Sequence, residues 1–272
     1  MCGSAAWITR RCVLLALASL LTLVTTLARP DGAAAQDQPR PGIIGDDDRV
    51  VVTEQGSPWE AIGQVNVSGF REAEMCTGTL IAPNVVLTAA HCVTSPSQKR
   101  PFPAGNIHFL AGVRGSENKG HATAKCVNFL DGYTYMPPSE FYASRVAGKL
   151  HLSAFTKDVV VLVLNESIAV DPAALAKGVT PWPGLKLVHA AYGVDRRFAL
   201  SGHFGCQLLG LERPFWMNDC DTRPGSSGGP VFVTRDDKLQ LAAVMVAGVP
   251  GRVNAALPIS AWGSLADMTE CR

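Results

Sequence analysis

Three segments carry residue types that can do chemistry together. The first is Gly225-Ser226-Ser227-Gly228-Gly229. Glycines on both sides of a serine permit positive φ and leave main-chain N–H groups bare. Two such N–H groups aimed at one point stabilise a developing oxyanion, and Gly225 and Ser227 are the donors this spacing predicts. Taken alone, the segment reads equally well as a Gly/Ser turn. The second segment ends in His91, which closes the apolar stretch Leu87-Thr88-Ala89-Ala90 and precedes Cys92. The other histidines (His108, His121, His151, His189 and His203) read as ordinary surface or core residues. The third begins at Asp158, which opens the apolar run Val159–Leu164. A carboxylate at the mouth of a buried strand must be paired, and an imidazole N–H is a natural partner. Alone, Asp158 reads as a strand-start residue, with Asp131 as the second candidate acid.

The chain order His91, Asp158, Ser227 decides which chemistry these residues fit. It is that of acyl transfer by a serine nucleophile. Ser227 attacks the carbonyl, His91 takes and returns the proton, and Asp158 holds the imidazole tautomer. Gly225-x-Ser227-x-Gly229 also satisfies the nucleophile elbow of α/β-hydrolases. That fold needs a histidine after the serine, and the last histidine here is His203. The order likewise excludes the subtilisin arrangement, whose acid precedes its base.

The elements that must position these residues are short strands. Ala61–Val67, Thr77–Ala82, Asn84–Leu87, Ile107–Gly112, Asp158–Leu164, Ala199–Leu209, Pro230–Thr234, Leu239–Val246 and Arg252–Leu257 are apolar or β-branched. Turn signals such as Ala82-Pro83-Asn84 and Val249-Pro250-Gly251 separate them, which predicts an all-β sandwich or barrel. Helical spacing is found only at the end, where Ile259, Trp262, Leu265 and Met268 recur at threes, with Ser260 as the capping chemistry. Stretches 94–106 and 131–147 read as loops.

Composition narrows the class. The chain has 272 residues, 47% apolar and 17% charged, too apolar for a disordered protein. Its 24 Lys+Arg against 23 Asp+Glu leave no basic footprint for nucleic acid. Residues 1–35 read as a secretory signal: Arg10-Arg11, then the apolar run Val13–Ala28, then Ala33-Ala34-Ala35 before Gln36. An uncleaved signal anchor is the alternative. After cleavage no second long apolar run follows, so no membrane association is expected, and the protein is secreted or periplasmic. Residues 36–49 read as a linker or short pro-segment, and 50–272 as the working domain. Six cysteines remain beyond the signal, an even number that suits disulfides in an exported chain. No C-x-x-C, H-x-x-x-H or H-E-x-x-H spacing exists, so neither a metal nor a cofactor is expected. Cys76 and Cys92 flank a strand–turn–strand, and a bond between them would fix the neighbouring imidazole.

On these residues the sequence resembles the chymotrypsin/trypsin-like serine proteases. The resemblance is carried by Thr88-Ala89-Ala90-His91-Cys92, by Asp158 with its apolar run, and by Gly225-Ser226-Ser227-Gly228-Gly229-Pro230. It implies two packed six-stranded β-barrels, a C-terminal helix, and a secreted endopeptidase acting on protein or peptide substrates. One departure is informative. Animal members carry an Asp before the nucleophile, which pairs with a new N-terminal ammonium; here that residue is Ser226. The chain is therefore closer to the bacterial V8-like, glutamyl endopeptidase branch. Ile44-Gly45-Asp46-Asp47-Asp48-Arg49-Val50 and Pro58-Trp59-Glu60-Ala61-Ile62-Gly63 are similar to that branch's start. Its glutamate-reading histidine is missing from Leu239–Val253, so preference for Glu is expected to be absent or weak. Asp221, with Thr222 beside it, stands where trypsin-like enzymes keep the acid that binds Lys or Arg. Besides Cys76–Cys92, the expected disulfides are Cys206–Cys220, flanking a short hairpin, and Cys126–Cys271. A catalytically silent, protease-like binding domain and a structural envelope protein are the competing classes; the oligomeric state is left open.

Overall fold

Fifteen strands and one α-helix, many of the strands seven residues or shorter, build the described residues. The computed structural model describes residues 40–68, 73–135 and 152–272, so residues 1–35, expected to be a signal, and most of the expected 131–147 loop lie outside the described residues. In chain order the strands are β1 (Val50–Val51), β2 (Ile62–Ser68), β3 (Ala73–Ala82), β4 (Val85–Thr88), β5 (Thr94–Ser95), β6 (Arg100–Pro101), β7 (Ile107–Ala111) and β8 (Gly120–Phe129). They continue with β9 (Val160–Leu164), β10 (Lys186–Ala191), β11 (Ser201–Glu212), β12 (Phe215–Asn218), β13 (Pro230–Arg235), β14 (Lys238–Val249) and β15 (Val253–Pro258). Helix α1 is Ile259–Ala266.

Two barrels result, as the resemblance implies. The first closes in the order β2-β3-β4-β9-β8-β7. The second runs β11-β10-β13-β14-β15-β12 and closes through β11–β12, with β1 added at the β11 edge. Closure leaves few unpaired strand edges. The first interior is filled by Ile62, Leu80, Leu87, Phe109 and Leu162, all fully buried. Each such side chain contributes roughly 1.5–3 kcal/mol of hydrophobic stabilisation. All five residues of β9 are buried, which is why its sequence is a continuous apolar run rather than an alternating one.

Every predicted strand coincides with an observed one, but β1, β5, β6, β8, β10 and β12 are additional. In β8, Gly, His, Thr, Lys and Asn dilute the apolar signal, although the barrel buries Ala122 and Ala124. Residues 94–106, read as a loop, hold the β5–β6 ribbon. Helix α1 stops at Ala266, short of Met268, and starts after Pro258 without a side-chain cap. Ser260 lies inside the helix, so the expected capping chemistry is not formed. Trp262 anchors the helix: it is buried and its Nε1–H donates to Leu257 O at 2.9 Å.

Three disulfides join Cys76–Cys92, Cys126–Cys271 and Cys206–Cys220. The second closes a separation of 145 residues and ties the chain after α1 to β8. Replacing Cys126 and Cys271 by Ser together is expected to lower unfolding free energy by about 2–5 kcal/mol in urea titrations, the usual range for a native disulfide.

Candidate active site

Strand pairing forces His91 and Asp158 together. β4 and β9 are antiparallel neighbours with Thr88 opposite Val160. The chain leaving β4 therefore emerges beside the chain entering β9. It turns at once into a 3-10 helix, Ala90–Val93, which carries His91. Asp158 Oδ1 accepts the His91 main-chain N–H at 2.7 Å, and Oδ2 faces Nδ1 at 2.6 Å. One carboxylate thus fixes both the backbone and the ring. With Nδ1–H donating to Asp158, Nε2 is left as the acceptor on the far side of the ring. The Cys76–Cys92 bond anchors the same turn to β3.

Asp158 is 1% exposed, whereas the His91 side chain retains 20% exposure. Burial pulls the imidazole pKa down, but the charge and hydrogen bond of Asp158, helped by the charge of Glu74, outweigh it. The net effect is upward from 6.5.

The Gly225–Gly229 turn is the second half of the site. Pro224 O accepts the Val194 N–H at 2.8 Å, and Ser226 O accepts the Gly229 N–H at 3.0 Å. A trans peptide places its N–H opposite its C=O. Pinning these two carbonyls therefore orients the N–H groups of Gly225 and Ser227, the two expected donors. Among the described residues neither N–H has an acceptor, and both residues line the cleft that holds His91. Gly225 has φ +97° and Gly228 φ +78°, both in the left-handed region. A Cβ at Gly225 would meet Tyr192 O at 2.7 Å, and one at Gly228 would press on Ala89 N at 2.8 Å. Glycine is required at both.

Ser226 supplies its own support. Its hydroxyl accepts the Arg223 N–H at 3.1 Å, and its N–H donates to Arg223 O at 2.8 Å. The turn closes on itself without an N-terminal ammonium. Among the described residues no hydrogen bond joins Ser227 Oγ to His91. Such bonds are often long in unliganded enzymes and tighten when substrate binds.

The specificity residues are placed differently from the sequence expectation. The cleft has a volume of about 320 Å³, and Thr222 is in its wall. Asp221 is not. It is 1% exposed, and its oxygens accept the N–H groups of Ile44 and Asp48, each at 2.9 Å. His203 Nδ1 lies 3.4 Å from the same carboxylate. A carboxylate facing a main-chain segment does not face the substrate's side chain, so Asp221 is not in position to bind Lys or Arg. Met245, Val246, Ala247 and Gly248 of β14 also line the cleft.

Residues 40–49, expected within the linker, are held in the fold. Ile43 is buried. Gly42 O accepts from Thr222 N–H and Asn254 Nδ2 at 2.9 Å each. The Arg49 side chain, 3% exposed, pairs with Asp47 at 2.8 Å and Asp195 at 2.7 Å. Arg49 holds the Asp47 carboxyl down to about 2, against a smaller opposing effect of burial. Sequence reasoning missed Arg49 and also Thr77, a threonine whose only sequence signal is its place between Cys76 and Gly78.

Three groups of potential metal-ligating side chains converge among the described residues, and in one of them, Cys206, Asp219 and Cys220, the two cysteines are joined as a disulfide. Cys76 and Cys92 meet at His91, but as a disulfide they offer no thiolate. Asp48, His203 and Asp221 also converge. There both Asp221 oxygens accept main-chain N–H groups, and His203 Nδ1 accepts the Asp221 N–H at 3.0 Å.

A histidine–carboxylate pair at the junction of two β-barrels, beside a glycine-bounded serine, defines the class, and the sequence comparison agrees. Residues 50–198 match the family model described as Trypsin, and the chain belongs to that family. It is 31% identical over 128 residues to the cercarial protease of Schistosoma mansoni; the match covers 46% of each sequence, so the chain aligns with about half the length of that relative. Among solved structures, a Glu endopeptidase in complex with MPD superposes with TM-score 0.66 at 22% identity, over 83% of this chain and 96% of that one. The protease Anisep of Arthrobacter nicotinovorans superposes with TM-score 0.59 at 17% identity, over 80% and 99%. The VesB protease of Vibrio cholerae gives 0.59 at 16%, over 79% and 65%. These structural likenesses carry the fold.

The His91–Asp158 contact has a direct consequence for titration. By NMR of the ring nitrogens, His91 is expected to titrate above 6.5. Asp158→Asn should bring that value down, since burial is then the main remaining influence. A pKa raised in the folded state adds stability in full below the unfolded value of 6.5, and that contribution is lost as pH rises through the folded value. The substitution should remove this low-pH stabilisation, and burial alone would reverse its sign.

Proposed function

We propose that the protein is an exported serine endopeptidase that hydrolyses peptide bonds through an acyl-enzyme. Ser227 is the nucleophile, His91 the general base and then acid, and Asp158 the group that orients His91 and stabilises its cation. The carrying observation is the two-point grip of Asp158 on His91, at 2.7 and 2.6 Å, in the cleft that Ser227 lines. Asp158 selects the tautomer with Nδ1–H and leaves Nε2 to take the serine proton. As Ser227 Oγ adds to the carbonyl, the negative charge moves to the carbonyl oxygen. The N–H groups of Gly225 and Ser227 receive it without reorganising, because their carbonyls are already bonded elsewhere. Collapse expels the amine, to which His91 returns the proton. Water then repeats the sequence on the acyl-enzyme.

The reading of residues 1–35 as a cleaved signal and 50–272 as the protease domain accompanies this proposal. Three disulfides among the described residues support an oxidising compartment.

Labelling with a fluorophosphonate probe tests the nucleophile. Wild-type protein should label and Ser227→Ala should not; labelling of both would assign the wrong serine, and labelling of neither in folded protein would favour a silent binding domain. Asp158→Asn should lower kcat by about 10⁴-fold, the scale of that change in a comparable triad.

Substrate selection follows from the cleft wall. Its Met75, Met245, Val246, Ala247 and Pro250 are apolar. Its one arginine, Arg223, has Nε 3.7 Å from Asp195. Peptide-library profiling should show apolar residues favoured before the scissile bond, with neither Glu nor Lys/Arg dominant. A dominant Glu or Arg signal would contradict this.

A further inference from the structure

We propose that Thr77 is a positioning residue for the oxyanion-binding N–H groups, acting through its hydroxyl. The proposal rests on the reading of Ser227 as nucleophile. Thr77 lies on β3 of the first barrel and is fully buried. Its main-chain N–H donates to Ser227 O at 2.9 Å. Its hydroxyl accepts the Tyr192 N–H at 3.0 Å and donates to Gly225 O at 2.9 Å. Its own carbonyl accepts the Thr88 hydroxyl at 2.7 Å. One residue of the first barrel therefore grips two carbonyls of the nucleophile turn and the start of the segment behind it.

That segment is the one that orients the Gly225 donor. Val194, two residues after Tyr192, pins Pro224 O and hence the peptide plane that carries the Gly225 N–H. On the other side of Gly225, the next carbonyl is held by Thr77 directly. Both peptide planes flanking Gly225 thus trace back to one hydroxyl, directly or through Tyr192–Val194. The grip matters because Gly225 sits at φ +97°, where glycine has wide freedom and no side chain restricts it. A hydroxyl suits the place because one atom both donates and accepts. Valine would keep the shape and do neither; serine would keep both.

The test compares wild type, Thr77→Val and Thr77→Ser. Each is measured with one fluorogenic peptide, for kcat and KM separately, and with a peptidyl trifluoromethyl ketone of the same sequence, whose hemiketal oxyanion reads the two donors. Thermal melting establishes that each variant is folded. Misplacing a preorganised donor costs about 10–100-fold. Thr77→Val should lose that much kcat with KM changed less than about threefold, and ketone affinity should fall by a similar factor. Thr77→Ser should stay within about threefold of wild type, since it retains the hydroxyl. Folded Thr77→Val with unchanged kcat would overturn the proposal. So would a loss in kcat with ketone affinity intact, or equal losses in Val and Ser. Should Thr77→Val not fold, Thr77→Ser decides, and a loss of about tenfold or more there counts against the hydroxyl. If wild type neither cleaves peptides nor labels with fluorophosphonate, the protease reading itself fails; an active wild type with an indifferent Thr77 defeats only this inference.

Discussion

The antiparallel pairing of β4 with β9 is the constraint from which the site follows. Its register puts Thr88 against Val160, and the residues just outside that ladder are His91 and Asp158. Neither has a long flexible tether. The imidazole is set by a single helical turn, and the carboxylate by a strand that is buried along its whole length. A one-residue slip of β9 would turn its side chains to the other face and carry Asp158 away from both His91 contacts. The apolar interior of the first barrel, which fixes the register, is thereby what holds the acid against the base.

The second barrel makes the opposite kind of contribution. Its Gly225–Gly229 turn lies before β13, outside any regular ladder, and depends on discrete partners. Pro224 O, Gly225 O, Ser226 O and Ser227 O are each taken by a named N–H or hydroxyl. Two of those four partners come from Thr77, across the barrel junction. A rigid ladder in one barrel and a network of individual hydrogen bonds in the other thus meet at the same cleft. Within that network Gly225 is the residue whose backbone is least restricted by its own chemistry, and the neighbouring hydrogen bonds set its conformation.

How far the sequence reveals this differs between elements. The strands with strong apolar or β-branched content were readable, and so was the chain order His91, Asp158, Ser227. β8 was not, because a barrel interior accepts small side chains such as Ala122 and Ala124 as readily as large ones, and a run of small and polar residues gives no period. Asp221 shows a different limit. Its distance from Ser227 along the chain is legible, but the direction of its carboxylate is set by Ile44 and Asp48, far away in sequence. Thr77 was hidden for a third reason: a β-branched residue in a strand is already explained by strand propensity, so nothing in the sequence asks for its hydroxyl. The stretch 40–49 reads as linker by composition, yet Ile43 and Arg49 are buried in the fold.

The burial of Asp221 also bears on how much of the N-terminal side the fold can lose. Its two oxygens rest on main-chain N–H groups of residues 44 and 48. Loss of the backbone between them would strand a carboxylate that is 1% exposed, a change costing several kcal/mol. The same backbone places Gly42 O against Thr222 and Asn254 in the cleft wall. A peptidase that nibbled past Gly42 would therefore not merely shorten a tail; it would remove part of the cleft wall and unseat its foundation. Hydrogen-bonding demand, rather than any recognition motif, thus ties residues 42–48 to the rest of the fold.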